Sequence, residues 1–463
     1  MPETPATPPS NSVLELAGTP IRVPAGRAGS VSSDRQRTAL AVAGATIGFV
    51  ISWYLVHHGW YALDRQWDTH EYFKYANNIV GRGLFPYRDF SVEYPPLSLP
   101  IFVLPRLLAG HSFSGYMTVF ELMMAACGVI AAGLSALVLC AQRVSNRQLA
   151  CGVALIAFSP VLLGAVLLSR YDLFPTMLTI AALAALYFDR KWSAFALLGL
   201  GTAAKAYPIV ILPIALMYVW RREGRRAALW CLAVFAAVVL VCFLPFLVVA
   251  PKGVWWAIHG QENRPLQLES VGAALFLAAH QLIGLHLSYY FTHSSDNLDG
   301  HVPMAFAEVM SILQLVSLVT VWLLYARGPA TRARLLAASA AAVCAFIVFD
   351  RVLSPQYLIW LAPMVAVIRG RRGLAAVALL ACAMSMTQIY YPLHFDPLKT
   401  FEPLESWAVV GRDLVLCALF ATLAWPDRGF TWPDRLPAWR RRAPETIRTV
   451  GGARPRRLIR SPG

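Results

Sequence analysis

Apolar segments long enough to cross a membrane recur along most of the chain, separated by short polar segments. A helix needs about 20 apolar residues to span a bilayer. Clear spans are predicted at 38–57, 116–140, 149–168, 171–188, 227–249, 303–326, 335–349, 373–391 and 407–425, and shorter ones at 96–109, 193–204, 207–220 and 356–369. The pattern indicates an all-α polytopic membrane protein. It has about 12 transmembrane helices if 96–109 dips into the membrane without crossing. If that segment crosses, the sidedness of the loops after it must change.

Two longer polar inserts interrupt this pattern, at 58–96 and 251–302. In the first insert, apolar side chains recur at helical spacing after Asp68, which predicts an amphipathic helix over 68–80. The second insert contains a semi-apolar stretch at 271–291 that could lie flat in the membrane interface instead of spanning it. We therefore expect both inserts to carry interfacial helices.

Arginines cluster in the short loops between apolar segments and in the C-terminal tail, and the net charge is +15. The positive-inside rule predicts this distribution for cytoplasmic loops. We therefore attribute the charge to topology and to membrane lipids, and we expect no nucleic-acid partner. Both termini are then cytoplasmic, and both inserts lie on the outer face of the cytoplasmic membrane. The predicted domains are a disordered cytoplasmic tail at 1–34, a transmembrane domain at 35–427 and an arginine-rich cytoplasmic tail at 428–463.

Composition excludes several classes of protein. With 57% hydrophobic residues and a mean hydropathy of +0.54, the chain is too apolar for a soluble protein of its length. All eight cysteines lie within apolar segments and none forms a CxxC pair, so neither a disulfide framework nor a zinc site is indicated. The sequence has no GxxxxGK phosphate loop and no GxGxxG, HExxH or GxSxG motif. Nucleotide hydrolysis, redox chemistry and serine hydrolysis therefore lose their main sequence support.

Ionisable and polar side chains border or enter the apolar segments on the predicted outer face. Ionisable groups are costly in a membrane, and their presence there suggests a functional site. The set is Asp64, Asp68, Glu71, Asp89, Glu93, Arg170, Asp172, Lys205, Arg264, Glu269, His301, Asp350, Arg351 and Gln356. A reaction with an anionic leaving group would need both signs of charge on one side of the membrane.

Asp68 opens the predicted 68–80 helix and has two interpretations. It could be only the N-cap of this helix, supported by Glu71 three residues later in a pattern like a capping box. Alternatively, it is a catalytic carboxylate. Asp64, one helical turn earlier, is the other candidate for that role.

Arg170 and Asp172 separate two apolar segments. They could simply close a helical hairpin, or they could contact a substrate. Lys205 lies between two predicted half-helices. Its side chain could extend to the membrane interface, or it could bind a phosphate.

The two arginines Arg264 and Arg351 are suited to phosphate, because the guanidinium group can donate two parallel charge-assisted hydrogen bonds. Arg351 also lies on the predicted outer side, where the positive-inside rule gives it no topological role. His301 immediately precedes a span, and a lone histidine in such a position is more often structural than catalytic.

Several short motifs occur in order between the first span and about residue 360. They are Asp68 with Tyr72, Gly83, Pro86-Tyr87, Glu93-Tyr94-Pro95-Pro96, Arg170-Tyr171-Asp172, Lys205-Ala206-Tyr207-Pro208, Arg264 with Glu269-Ser270, and Ser354-Pro355-Gln356-Tyr357. Together they resemble glycosyltransferase family 87. The C-terminal third of the chain contains no comparable motif.

The resemblance implies a GT-C-like catalytic domain at 35–427 that takes a hexose, mannose above all, from a polyprenyl-phosphate carrier. The transfer would be inverting, with Asp68 as base and a lipid-linked glycan as acceptor. The predicted substrate-binding residues are Tyr72, Glu93, Tyr94, Arg170, Asp172, Lys205, Arg264, His301, Arg351 and Gln356. No cofactor is required by this chemistry, although Asp68, Glu93 and Asp172 could hold a divalent metal.

Two alternatives stay open at the level of sequence. A lipid or sugar transporter, or a flippase, would use the same charges without catalytic turnover, although long polar inserts are unusual in transporters. An enzyme of the same fold could instead transfer arabinofuranose or glucose, because the choice of sugar depends on the geometry of the pocket.

Overall fold

The structure, a computed structural model, describes residues 26–59 and 67–425. The helices of the first half are α1 Gly26–Gly59, α2 Trp67–Ala76, α3 Leu99–Ala109, α4 Phe113–Ala141, α5 Asn146–Ala157, α6 Ser159–Leu163, α7 Val166–Ser169, α8 Leu173–Tyr187, α9 Lys191–Ala204 and α10 Leu212–Glu223. Those of the second half are α11 Arg225–Val249, α12 Pro251–Glu262, α13 Val271–Ile283, α14 His301–Arg327, α15 Arg332–Val348, α16 Leu358–Ala366, α17 Gly370–Tyr390, α18 Phe395–Lys399 and α19 Pro403–Ala424. Asp64 and the tail at 428–463 lie outside the described residues.

Six helices in the described residues are long and apolar enough to cross a membrane, namely α1, α4, α11, α14, α17 and α19. The chain is therefore a multi-pass, mostly helical membrane protein. α1 begins at Gly26, within the segment predicted as a tail. α3 has 11 residues and rises roughly 16 Å, about half of a bilayer core. This length fits a segment that enters the membrane without crossing it.

The predicted span at 149–168 is not one helix but three, α5, α6 and α7. Pro160 begins a new helix because its ring suits the first turn of a helix and not the interior. Gly164 then ends α6 with a φ of 72°, a left-handed conformation that glycine adopts without steric cost. The prediction of a continuous span here was wrong.

The first insert contains the predicted amphipathic helix. α2 continues into a π-helical turn at Asn77–Gly81, and the chain re-enters the helical bundle through a 3₁₀ turn at Pro96–Ser98. Tyr72 and Tyr75 are buried on one face of α2, as the helical spacing predicts.

The second insert is only partly helical. α12 and α13 are followed by an antiparallel hairpin of β1, Tyr289–Thr292, and β2, Ser295–Leu298. The expected interfacial segment at 271–291 is too long, because Gly284 ends α13 in the left-handed conformation. The all-α prediction therefore fails locally, and β2 of the hairpin pairs with the segment that precedes α13, where the amide of Leu298 donates to the carbonyl of Leu266.

The two inserts contact each other closely at Gly253 in α12. A Cβ atom at this position would lie 1.8 Å from the main-chain oxygen of Tyr87 in the first insert. Only a residue without a side chain permits this approach, so Gly253 fixes the position of α12 against the first insert.

Replacing Gly253 with alanine is expected to lower the free energy of unfolding by about 1–3 kcal/mol, because the new methyl group would push α12 away from Tyr87. Thermal unfolding of the purified protein in nanodiscs measures the change. Gly260→Ala on the same helix is the control, since nothing lies within 4 Å of a Cβ there. That variant should be neutral or slightly stabilised by its better helix propensity. Equal destabilisation by both substitutions would contradict the close packing at Gly253.

Two helices connect opposite ends of the bundle. α8 follows Asp172 and ends just before Asp189, which pairs with Arg222 and Arg332. α15 begins at Arg332 and ends just before Asp350. The arginine-rich loops therefore lie at one end of the bundle, and Asp172 and Asp350 lie at the other.

The interior of the bundle surrounds α16, in which every residue is buried. α11 is at the periphery and exposes most of its apolar residues. The eight cysteines lie within helices and are all free.

Candidate active site

A cavity of about 330 Å³ lies at the end of the bundle opposite the arginine-rich loops. It is enclosed by both inserts, by the turn before α8, by the break after α9 and by the segment between α15 and α16. Nine of the eleven predicted site residues line it: Asp68, Tyr72, Glu93, Tyr94, Arg170, Asp172, Lys205, Arg264 and Gln356. The sequence motifs, though distant along the chain, meet in this one place.

Asp68 and Arg170 both line the cavity and form an ion pair with each other. α2 begins at Trp67, so Asp68 lies within the first helical turn and its carboxylate is directed to Arg170. About a quarter of its side chain (26%) stays exposed, compared with 12% for Arg170. Arg170 also donates to the hydroxyl of Tyr391, with Nη2 3.3 Å from the oxygen. Glu71 bonds to Lys74 at 3.2 Å, as an exposed pair on the same helix.

An aromatic wall lies behind this ion pair. Tyr72 stacks on Phe102 with ring centroids 4.1 Å apart, and Tyr94 makes edge contacts with Tyr72 and Tyr171. Burial among these rings raises the pKa of Asp68 above its usual value, although Arg170 and Lys205 oppose the shift. A carboxylate with a raised pKa is a stronger base, and this one keeps access to the cavity.

Asp172 and Lys205 form the second ion pair of the site. Asp172 Oδ1 accepts from Lys205 Nζ and from the indole nitrogen of Trp360, both at 2.7 Å. The ammonium group lies 4.8–5.3 Å from the ring centroids of Tyr171, Tyr357 and Trp360. Lys205 has an extended backbone conformation and lies between α9 and the 3₁₀ turn at Tyr207–Ile211. The predicted break between two half-helices is therefore present.

The second insert supplies Arg264. Its guanidinium group donates to Gln261 at 3.2 Å, to Ser295 at 3.3 Å and to the carbonyl of His293. Glu93 of the first insert accepts from Ser294 at 3.4 Å, so polar contacts also join the two inserts above the cavity.

Asp350 also lines the cavity and belongs to the outer charged set, although it was not among the predicted substrate-binding residues. Burial raises its pKa to about 6, despite the hydrogen bond from the amide of Val352 and the charge of Arg264. The carboxyl group of Asp350 therefore holds its proton to a higher pH than an ordinary aspartate does.

The remaining two predicted residues do not line the cavity. Arg351 is buried and is directed towards α14, where it bonds to Ser311 and Glu308. Its Nη1 also donates to the carbonyl of Arg264 at 3.0 Å. His301 is the exposed first residue of α14. Sequence reasoning placed both on the outer side but could not determine where their side chains point.

Aromatic residues are the main part of the site that sequence reasoning missed. Tyr171, Tyr207 and Tyr357 lie within the short motifs, yet only their charged or amide neighbours were chosen. Trp360 has no motif of its own, and its spacing of four residues after Gln356 was the available signal. Apolar residues of α11, α12 and α15 form another wall: Phe243, Val254, Ala257, Ile258 and Phe346.

Within residues 26–59 and 67–425, no three histidine, cysteine or acidic side chains come together in an arrangement that could hold a metal ion. Asp68, Glu93 and Asp172 line the same cavity without forming such a group.

Comparison with known families identifies the chain. The model of glycosyltransferase family 87 matches residues 92–355, more than half of its length. The chain belongs to glycosyltransferase family 87. No curated protein matches it. A family 87 glycosyltransferase uses a sugar donor and an acceptor, so the predicted family and general activity are confirmed. The matched region contains Arg170, Asp172, Lys205 and Arg264, whereas Asp68 precedes it.

Proposed function

We propose that this glycosyltransferase transfers mannose, with inversion, from a polyprenyl-phosphate carrier to a lipid-linked glycan acceptor. The proposal rests chiefly on one observation. A carboxylate of raised pKa, Asp68, faces a cavity that also receives the cationic side chains of Arg170, Lys205 and Arg264.

In the proposed reaction, an acceptor hydroxyl gives its proton to Asp68 as its oxygen attacks the anomeric carbon. The bond between that carbon and the phosphate oxygen breaks, and the electron pair leaves with the polyprenyl phosphate. Attack from the face opposite the leaving group inverts the configuration. A phosphate monoester is a good leaving group, so the reaction needs one carboxylate base, unlike the carboxyl pair of a glycosidase.

Cations assist the departure of the phosphate by stabilising its developing charge. Arg264 is held by Gln261 and Ser295 before any substrate binds, which favours a preorganised contact. We propose that the transfer needs no metal ion, because these side chains supply positive charge directly.

The carrier's lipid chain would lie against the apolar side of the cavity. Phe243 of α11, Val254 of α12 and Phe346 of α15 line this side, and α11 exposes its apolar residues towards the membrane. A lipid-linked sugar could then enter from the bilayer while its head group reaches the charged residues.

We place the active site on the outer face of the cytoplasmic membrane. The support is that the cavity and the arginine-rich loops lie at opposite ends of α8 and α15. Since the positive-inside rule puts such loops in the cytoplasm, the cavity would open outside. Membership of a glycosyltransferase family favours transfer over the transporter or flippase alternative.

Sugar transfer by the purified protein in nanodiscs tests the proposal. The donors are polyprenyl-phosphate-linked mannose, glucose and arabinofuranose, and the acceptor is a mannosylated phosphatidylinositol. We expect transfer from the mannose donor, NMR evidence of an inverted anomeric linkage, and equal rates with and without EDTA. Transfer of another sugar alone would refute the proposed sugar, and retention of configuration would refute the mechanism. Loss of activity in EDTA, restored by a divalent cation, would refute the metal-free reaction.

A further inference from the structure

Two buried hydrogen-bond acceptors of residues that line the cavity have no partner among the described residues. They are Oδ2 of Asp172 and Oε1 of Gln356. Both side chains are at least nine-tenths buried, with 1% and 9% exposed. Buried polar atoms in folded proteins are nearly always hydrogen-bonded, so two unpaired acceptors in one cavity require an explanation.

Asp172 and Gln356 reach the cavity from a shared scaffold. Gln356 lies in the 3₁₀ turn at Pro355–Tyr357, and Trp360 lies in the first turn of α16, four residues later. At this spacing the two side chains lie on the same face of the helical segment. The indole of Trp360 donates to Oδ1 of Asp172. Oδ1 of Asp172 is thus held by Trp360 and Lys205, while its second oxygen is left for another donor.

Unpaired donors also line this cavity, at Nε of Arg170 and on the second insert. Nε of Arg264, on the second insert, is buried and has no partner among the described residues. A phosphate group has several acceptor oxygens and suits a donor such as Arg264. The same phosphate would be repelled by Asp172 and offers no donor to Oε1 of Gln356.

Lys205 is poorly suited to the role of a phosphate clamp. Its charge is balanced by Asp172 at 2.7 Å, and three aromatic rings surround its ammonium group. A second anion beside Lys205 would compete with a carboxylate already in place.

We propose that Asp172 and Gln356 accept hydrogen bonds from hydroxyl groups of the transferred sugar, and that Lys205 is a positioning residue that orients Asp172. Arg264 then contacts the phosphate of the carrier. The inference rests on the proposed function and adds to it a division of the cavity into a sugar subsite and a phosphate subsite. It reassigns Lys205 from the phosphate to the sugar side.

Binding of two ligands separates these roles. One is a short polyprenyl phosphate, and the other is the same lipid carrying mannose. In the wild type the sugar should tighten binding. In Gln356→Leu the ratio of the two affinities should be at least about tenfold smaller than in the wild type, because the substitution removes the acceptor while roughly preserving the volume of the side chain. Gln356→Glu keeps an acceptor and should retain most of the gain. Gln356→Leu should not change the affinity for the bare lipid phosphate appreciably, whereas the added carboxylate of Gln356→Glu should weaken both ligands by a similar factor through repulsion of the phosphate.

Lys205→Met and Arg264→Gln are the matched pair for the two subsites. Arg264→Gln should weaken both ligands by a similar factor, about tenfold. Lys205→Met should weaken chiefly the mannose-bearing ligand. Equal weakening of both ligands by Gln356→Leu, or loss of bare-phosphate binding in Lys205→Met to the same degree as in Arg264→Gln, would overturn the proposal.

Deoxy donors give an independent readout. Each of these donors lacks one hydroxyl group of the sugar, and the wild type should use at least one of them about tenfold less well than the full donor. In Gln356→Leu or Asp172→Asn, this difference between the full and the deoxy donor should be smaller. Unchanged discrimination in both variants, with normal transfer by the wild type, would refute the subsite and leave the proposed function standing. A wild type that transfers no sugar from any polyprenyl phosphate would refute both.

Discussion

Replacing Asp68 with asparagine is expected to reduce the rate of sugar transfer by about 10²- to 10⁴-fold. Asparagine has nearly the same shape, so α2 and the cavity should persist, but an amide cannot accept the proton of the attacking hydroxyl. Loss of the carboxylate also leaves Arg170 without its ionic partner. The measurement is turnover at saturating donor and acceptor, together with donor affinity, which should change much less than turnover.

Glu71→Gln is the matched control, because it removes a carboxylate one turn further along the same helix, where it pairs only with Lys74 in the described contacts. It should retain nearly full activity. Equal turnover in Asp68→Asn and the wild type would exclude Asp68 as the base and direct attention to Asp172, or to Asp64 outside the described residues.

The pH dependence follows from the same carboxylate. Asp68 acts as a base only when deprotonated, so activity should fall as the pH drops through its pKa. An ordinary aspartate has a pKa of about 3.9. Because burial raises the pKa of Asp68, the loss of activity should begin at a higher pH than it would with an ordinary aspartate. Arg170→Met would remove an opposing charge and should shift the acidic limb of the profile further upwards.

Replacing Arg412 with methionine is expected to destabilise the protein by about 3–5 kcal/mol, because buried anionic and polar groups would lose their cation. Arg412 is fully buried in α19. It donates to Asp413 and to the hydroxyl of Tyr390, each at 2.7 Å, and to the carbonyl of Glu269 in the second insert. It therefore ties two long apolar helices to the segment that begins α13.

Thermal unfolding in nanodiscs measures this loss, and Arg371→Met on α17 is the control because Arg371 is exposed. The control should lie within about 0.5 kcal/mol of the wild type. Replacing Arg412 and Asp413 together, by methionine and leucine, should restore part of the stability, since no unpaired aspartate then remains beside residue 412. Similar losses in the control and in Arg412→Met would contradict a special role for this buried arginine.

The long spans were predictable because continuous hydrophobicity over more than 20 residues leaves few alternatives in a membrane protein. Helix α11 is such a case, and its boundaries differ little from those expected. The segment at 149–168 was also apolar, yet one proline and one glycine divide it into three helices. Hydropathy reports how apolar the side chains are and carries no information on backbone geometry. Turns within an apolar segment were therefore missed.

Most residues predicted for the site line one cavity, but the sequence did not indicate which of them pair with each other. Ionisable residues beside apolar segments converge on one cavity, as the cost of burying charge suggests. However, the bond between Asp172 and Trp360 joins residues 188 positions apart, and no local pattern specifies it. The charges Arg412 and Asp413 lay inside a predicted span and were overlooked, although the same cost applied to them.

Arg351 holds the segment that carries Arg264 from two directions. Its side chain donates to the carbonyl of Arg264, and its own carbonyl accepts from the amide of Gln267, each at 3.0 Å. An alanine scan for activity would therefore score Arg351 as essential even if it never touches a substrate. It would be wrong to conclude from this that Arg351 contacts the substrate, because the rate would be lost through displacement of Arg264. A residue can thus be required for the activity of this enzyme without taking part in the chemical reaction.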